Sequence, residues 1–209
     1  MGLNSKGGNK KYLNIVGGKI ALQLKEPTDK TVERTKKNGS KVHELLYESI
    51  DGEILGIDVR THEEYGKFLE ITISDGEEYL LSIPMSSRYG MGLLFRAPNI
   101  DFNKKVEICT FLNEEGRGVL YLKQGADKVY SYWTKEDMKS MPDLEKVMFK
   151  GETRWDDTER IKYLEEKVIP NLQKKIKDAN PLADPVAAQP EPEPVDEFST
   201  SDDDDGLPF

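Results

Sequence analysis

The sequence predicts a mainly β protein: a small barrel with extra hairpins, then a helical extension, then a disordered acidic tail. Three observations carry this. Short segments of alternating apolar residues, separated by Asn-Gly and Asp-Gly turn signals, fill residues 12–133. An apolar stripe at helical spacing follows, over residues 156–178. Finally, residues 178–209 hold ten acids and no Lys or Arg, a composition with little to bury.

Residues 1–11, with Gly2, Gly7, Gly8 and three lysines, lack apolar periodicity and read as a flexible basic arm. Residues 12–25 read as one long strand. Its apolar phase changes from Leu13 and Ile15 to Ile20, Leu22 and Leu24 across Gly17-Gly18, as at a bulge or bend in a barrel strand. Residues 28–41 read as a polar, basic loop with Asn38-Gly39 as its turn. Strands are expected at 42–49 and 53–60, joined through Asp51-Gly52, and at 67–74 and 77–83, joined through Asp75-Gly76. A short helix is expected within 86–95, then strands at 104–112, 118–124 and 128–133. From residue 134 a helical extension runs to 178. Thr134 to Asp137 and Asp156 to Glu159 resemble capping boxes. The second opens a stripe of Ile161, Leu164, Val168, Leu172 and Ile176, which is expected to pack on the barrel. Pro142 interrupts the first helix, and Pro170 kinks or restarts the second. Residues 179–201, with repeated Pro, read as an extended linker, and 202–209 as a separate tip.

The net charge of -9 hides a split. Residues 1–177 carry 30 basic and 29 acidic side chains, net +1, while residues 1–41 hold ten basic and three acidic ones. Each part can therefore attract its own partner. No window approaches the ~18 apolar residues of a membrane span, and no export leader is seen. Met1-Gly2 opens like a myristoylation site, but Lys6 stands where that pattern needs Ser or Thr. One cysteine, Cys109, fits a reducing, cytoplasmic setting and reads as an inert core thiol.

Catalysis finds no constellation. His62-Glu63-Glu64 lacks the second histidine of a zinc-protease helix, and Gly90 to Gly92 is not followed by the Lys-Ser/Thr of a phosphate loop. One Cys excludes a Cys-rich zinc site. No cofactor and no metal are expected, and the chain is not expected to be an enzyme.

The end of the chain is the sharpest signal. Asp202, Asp203, Asp204 and Asp205 are followed by Gly206, Leu207, Pro208 and Phe209. Such a tip suits a partner with a small apolar pocket for Phe209, a basic rim for the aspartates, and an Arg for the terminal carboxylate. A Pro-rich acidic linker with this ending resembles the tail of bacterial single-stranded DNA-binding proteins, which close on an acidic run and Pro-Phe. That family sets its tail after an OB-fold, so the resemblance implies an OB-fold-like barrel over 12–133. It also implies a role in replication, recombination or repair. The tip would then recruit a polymerase, a helicase or primase, or a recombinase. The likeness is specific over the last eight residues, compositional over the linker and architectural over the barrel. Here Trp133 and Trp155 both come late, and a helical region separates barrel from tail. The chain thus looks like a divergent, bacteriophage-encoded member acting in the host cytoplasm, expected as a monomer or dimer rather than a tetramer.

An OB-fold holds single strands by a basic groove and aromatic platforms. Side chains pointing away from the predicted core are the candidates. They are Lys10, Lys11, Tyr12, Lys19, Lys25, Phe68, Tyr121, Lys123, Tyr130 and Tyr132, with Arg34, Lys36, Lys37 and Lys41 on a clamp-like loop. The competing expectation is a scaffold that binds replication proteins without nucleic acid. It fits the tail and the helical stripe, but not the basic first 41 residues. In the DNA-binding case the acidic tail competes with DNA for the basic body. Deleting residues 178–209 is then expected to tighten DNA binding at low salt and to abolish partner recruitment. Fluorescence anisotropy with labelled oligo-dT reads the first effect, and unchanged or weaker affinity removes the competition.

Overall fold

The computed structural model describes residues 10–36, 39–133, 140–149 and 152–181. The basic arm before Lys10, Lys37, the Thr134 capping box, most of the linker, and the tip lie outside the described residues. Alternating apolar residues build ten strands into one mainly antiparallel sheet. They are β1 (Lys11–Val16), β2 (Lys19–Leu24), β3 (Val32–Thr35), β4 (Lys41–Tyr47), β5 (Ser49–His62), β6 (Gly66–Ser74), β7 (Glu78–Pro84), β8 (Val106–Leu112), β9 (Gly118–Gln124) and β10 (Asp127–Val129). Their order is β10-β9-β8-β5-β6-β7-β1-β2-β4-β3. The β1–β7 pair is parallel, with Lys11 opposite Tyr79. The sheet is open, so the closed barrel expected from the sequence is not formed.

Strand β5 organises this sheet. Ser49–Gly52 pair with β8, while the rest of β5 pairs with β6, and the register shifts between Ile54 and Gly56. A shift of that kind bends a strand and strengthens its twist. The inner face gathers Ile54, Ile57, Leu69, Ile71, Ile73, Leu81, Ile83, Ile108, Leu120 and Leu122 into the core. Helix α1 (Arg88–Leu94) lies against β9 and β7. The Ser87 hydroxyl caps it, accepting from the Gly90 amide at 3.1 Å.

Several expectations change. Residues 12–25 are not a single bent strand. Gly17 (φ 55°) and Gly18 (φ 78°) make a tight turn, and β2 returns antiparallel on β1. A pair of positive φ values is the hairpin geometry that glycine permits. Asp51-Gly52 is not a turn either. It lies inside β5, where a Cβ on Gly52 would stand 2.5 Å from the Ser74 carbonyl oxygen. Close backbone approach, not reversal, requires that glycine. The basic loop 28–41 contains β3, paired to β4. The hairpin through Gly76 (φ 80°) and the short helix after Ser86 form as expected. Residues 130–133 lie outside any strand.

The extension is not all helical. β11 (Glu145–Phe149) and β12 (Glu152–Asp156) form a separate hairpin. The sequence between them, Lys150-Gly151, is a turn signal that the helical reading passed over. Helix α2 (Thr158–Tyr163) then starts with the Asp156 carboxylate accepting from the Thr158 amide at 2.9 Å. A π-helical turn (Leu164–Val168) leads into α3 (Ile169–Ala179). Pro170 lacks the N–H that would continue the α pattern, and the wider turn precedes it. Leu164, Val168, Leu172 and Ile176 are buried in the main core, and α3 packs on β5. The Gln173 amide donates to the Ile57 carbonyl and the Asp58 carboxylate, each at 2.9 Å. The stripe therefore covers this chain's own sheet, as expected.

That burial sets a test. Leu172→Ala is expected to cost about 2–5 kcal/mol, since it removes methyl groups from a packed core. Lys174→Ala on the exposed face should stay within about 0.5 kcal/mol. Urea unfolding monitored by far-UV circular dichroism compares the two.

Candidate nucleic-acid interface

The bend in β5 swings β8 and β9 around so that their outer surface meets the β1–β2 turn. The approach is close: a Cβ on Gly18 would lie 2.7 Å from the Leu112 amide nitrogen. Between these parts lies a cleft of about 350 Å³. Period-2 alternation places its residues. Val106, Ile108 and Thr110 point inward, which leaves Glu107, Cys109 and Phe111 on the outer face of β8. The ladder sets Cys109 opposite Tyr121 and Glu107 opposite Lys123. Lys19 and Glu48 close the other wall.

Two rings and the ammonium groups of Lys19 and Lys123 line the cleft, and that of Lys128 approaches the Tyr121 ring. Phe111 is 43% exposed and meets Tyr121 edge-to-face, with centroids 5.9 Å apart. The Lys123 and Lys128 ammoniums lie 5.5 and 5.7 Å from the Tyr121 ring centre. Lys123 pairs with Glu107 at 3.2 Å, and Lys19 with Glu48 at 3.3 Å. The bond from Glu107 raises the Lys123 pKa above its ordinary value. Hydrogen bonds from Ser49 and Lys123 hold the Glu107 carboxyl below the usual range. Burial pushes the Cys109 thiol up, and a hydrogen bond with Cys109 raises the Tyr121 phenol. Cys109 is buried, as the sequence implied.

The structure thus brings Lys19, Tyr121 and Lys123 together. Phe111 and Lys128 complete the cluster and were not among the candidates. The alternation of β8 carried the signal for Phe111, which falls on the face opposite Val106, Ile108 and Thr110.

The remaining candidates are scattered. Lys10 faces Glu78 at 3.8 Å, Lys11 bonds Glu77 at 2.5 Å, and Lys41 bonds Glu33 at 2.7 Å. Tyr12, Lys25, Tyr130 and Tyr132 are exposed, and Lys36 is half-buried in the turn that returns to β4. Tyr132 stands edge-on to the buried Trp133, with centroids 4.9 Å apart.

Two candidates are corrected. Phe68 lies on the face opposite Leu69, Ile71 and Ile73, yet it is only 5% exposed. It is not an open platform, because the outer face of β6 is itself covered. Arg34 is not a free clamp residue. It forks onto the buried Glu44 carboxylate through Nε at 3.0 Å and Nη2 at 2.7 Å. That hydrogen-bonded pairing raises the Arg34 pKa. The loop holding Arg34 is strand β3, so the clamp reading fails for this residue. Lys37 and the tip residues Asp202, Asp203, Asp204, Asp205, Leu207, Pro208 and Phe209 lie outside the described residues.

Among the described residues, no cluster of three or more His, Cys, Asp or Glu side chains is arranged to hold a metal ion. Nor is any helix among them long and apolar enough to cross a membrane. Comparison with family models, with curated proteins and with solved structures returns no match.

The Arg34–Glu44 fork yields a prediction. Arg34→Gln strands a buried carboxylate and is expected to lower stability by about 2 kcal/mol or more. Removing Arg34 and Glu44 together, as Gln and Leu, should restore much of the loss. Urea midpoints of the single and double variants measure this, and a single variant as stable as the parent refutes it.

Proposed function

We propose that this protein binds single-stranded DNA, using the cleft between the β1–β2 turn and the outer surface of β8 and β9. The observation that carries the reading is the gathering of Phe111, Tyr121, Lys19, Lys123 and Lys128 from distant parts of the chain onto one open surface. Rings provide sequence-tolerant stacking, and lysines neutralise phosphates. The Lys19–Glu48 and Lys123–Glu107 pairs are both partly exposed. Exposed pairs contribute only about 0–1 kcal/mol. A phosphate can therefore take over either lysine at little cost.

The OB-fold reading has topological support. The order β8-β5-β6-β7 is that of a Greek key, three consecutive strands with a fourth returning beside the first. Adding β9 makes the five-strand set of a partly open Greek-key barrel. In this reading β5 is the bent first strand, the β1–β2 hairpin is an addition to the edge of β7, and residues 113–117 join the fourth strand to the fifth. Loops in that position bind oligonucleotides in OB-folds, and Phe111 lies beside it.

The acidic tip would recruit a polymerase, a helicase or primase, or a recombinase to the coated strand. Many copies along one strand would give a weak contact avidity. In this account the chain acts by binding, not catalysis; its replication role rests on the tail's resemblance, and a bacteriophage origin on the chain's departures from the bacterial pattern. One observation favours the competing scaffold. Lys10, Lys11, Lys19, Arg34, Lys41 and Lys123 each have a carboxylate partner, which leaves the body less basic toward phosphate than its sequence suggests.

Anisotropy titrations with labelled oligo-dT, oligo-rU and duplex DNA at two salt concentrations separate these readings. The expected result is preference for oligo-dT, with affinity falling as salt rises. Tyr121→Ala should weaken binding by about five- to a hundredfold, from the worth of one stacked base. No binding of any oligonucleotide at low salt leaves the scaffold.

A further inference from the structure

The β11–β12 hairpin has no place in the cleft, yet it displays the other tryptophan of the chain. Its register sets Lys146 opposite Trp155 and Met148 opposite Thr153. Side chains alternate along a strand, so these four share one face. The Lys146 ammonium lies 4.8 Å from the Trp155 ring centre. Trp155 is 46% exposed and Met148 is 71% exposed. Thr153 donates its hydroxyl hydrogen to the Met148 sulfur at 3.4 Å. Glu145 and Asp156, paired at the base, fall on the opposite face. The Trp155 face thus carries one positive charge and no carboxylate among the described residues.

This differs from the rest of the protein in two respects. The lysines of the β-sheet described above are mostly held by acids, whereas the contact of Lys146 is an indole. Trp133 shows what a structural tryptophan looks like here. It is buried against Phe95, and its indole N–H donates to the Ser140 hydroxyl at 2.9 Å. Trp155 has no such burial, and a two-stranded hairpin has no core of its own to gain from it.

The hairpin is nevertheless firmly rooted. The Arg160 guanidinium donates through Nε to the Pro142 carbonyl at 2.7 Å, joining the segment before the hairpin to the helix after it. Met141 and Leu164 are buried on either side of that contact. The exposed ring is therefore presented from a fixed base.

We propose that the Lys146–Trp155 face is a second contact for single-stranded nucleic acid, stacking a base on the indole while Lys146 turns to the adjoining phosphate. The inference rests on the DNA-binding reading and extends it beyond the Greek-key strands. Charge selects the occupant: a lone ammonium beside an open ring, with the acids turned away, complements a base and its phosphate. A protein hot spot would instead need a packed, desolvated pocket, whereas Trp155 and Met148 stand open to solvent. The energetics agree. An exposed cation–π contact holds about 0.5–1 kcal/mol, while a stacked base holds about 1–3 kcal/mol. A base can thus displace the lysine.

The test uses the full chain and oligo-dT, with tryptophan emission and anisotropy read in parallel. Oligo-dT should quench the emission of the parent protein, because Trp155 is the open ring. Trp155→Ala should abolish the quench and weaken binding about five- to a hundredfold. Its urea midpoint should stay with the parent's, and Trp155→Phe should recover part of the affinity. If the parent binds oligo-dT while Trp155→Ala binds equally well, the hairpin contact is overturned and the cleft reading stands. If the parent binds no oligonucleotide, both fall together.

Discussion

Strand β5 serves two pairings, and the architecture hangs on the change between them. Its first residues, Ser49–Gly52, bond to β8, and the remainder bonds to β6. Two conditions make this possible. Gly52 lets the Ser74 carbonyl pass where any Cβ would collide, and the register slips between Ile54 and Gly56. Without that slip, β8, β9 and β10 would extend the sheet away from the β1–β2 hairpin. With it, they curl back until Gly18 touches the end of β8. The cleft exists because of that return, and so does the meeting of Lys19 with Tyr121 and Lys123.

Charge in this protein is managed locally. The body has nearly balanced charge, and most of its sheet lysines sit beside acids. Cross-strand pairing accounts for two of these: Lys123 faces Glu107, and Lys41 bonds Glu33 across β3 and β4. Such pairs are weak at the surface and exchange readily. Arg34 with buried Glu44 is another matter, since a fork on a desolvated carboxylate holds β3 to β4. A basic segment of sequence therefore divides into structural cations and available ones, and only geometry separates them.

The aromatic residues divide in the same way. Phe68 and Trp133 are enclosed, whereas Phe111, Tyr130, Tyr132 and Trp155 remain at the surface. Strand alternation tells which side of a strand a ring occupies. It does not tell whether another element covers that side. Phe68 lies on the face that alternation assigns it and is nevertheless closed to solvent, while Phe111 is open although Cys109 and Thr110 just before it are buried.

What the sequence determined by itself was local. Alternating apolar residues specified most strands, Gly76 specified a hairpin, and Ser87 capped a short helix. The stripe from Leu164 to Ile176 specified an amphipathic helix with one face to bury. The division of charge between body and tail, and the apolar ending of the acidic tip, are also properties of sequence alone. The tertiary structure decided everything that depends on distant neighbours. It made Gly17-Gly18 a reversal and Gly52 a point of contact, because a glycine's role depends on which backbone approaches it. It paired Glu145–Phe149 with Glu152–Asp156, left the sheet open, and chose which lysines keep acids for company. Period and propensity act over a few residues, while covering and pairing are settled between segments far apart in the chain.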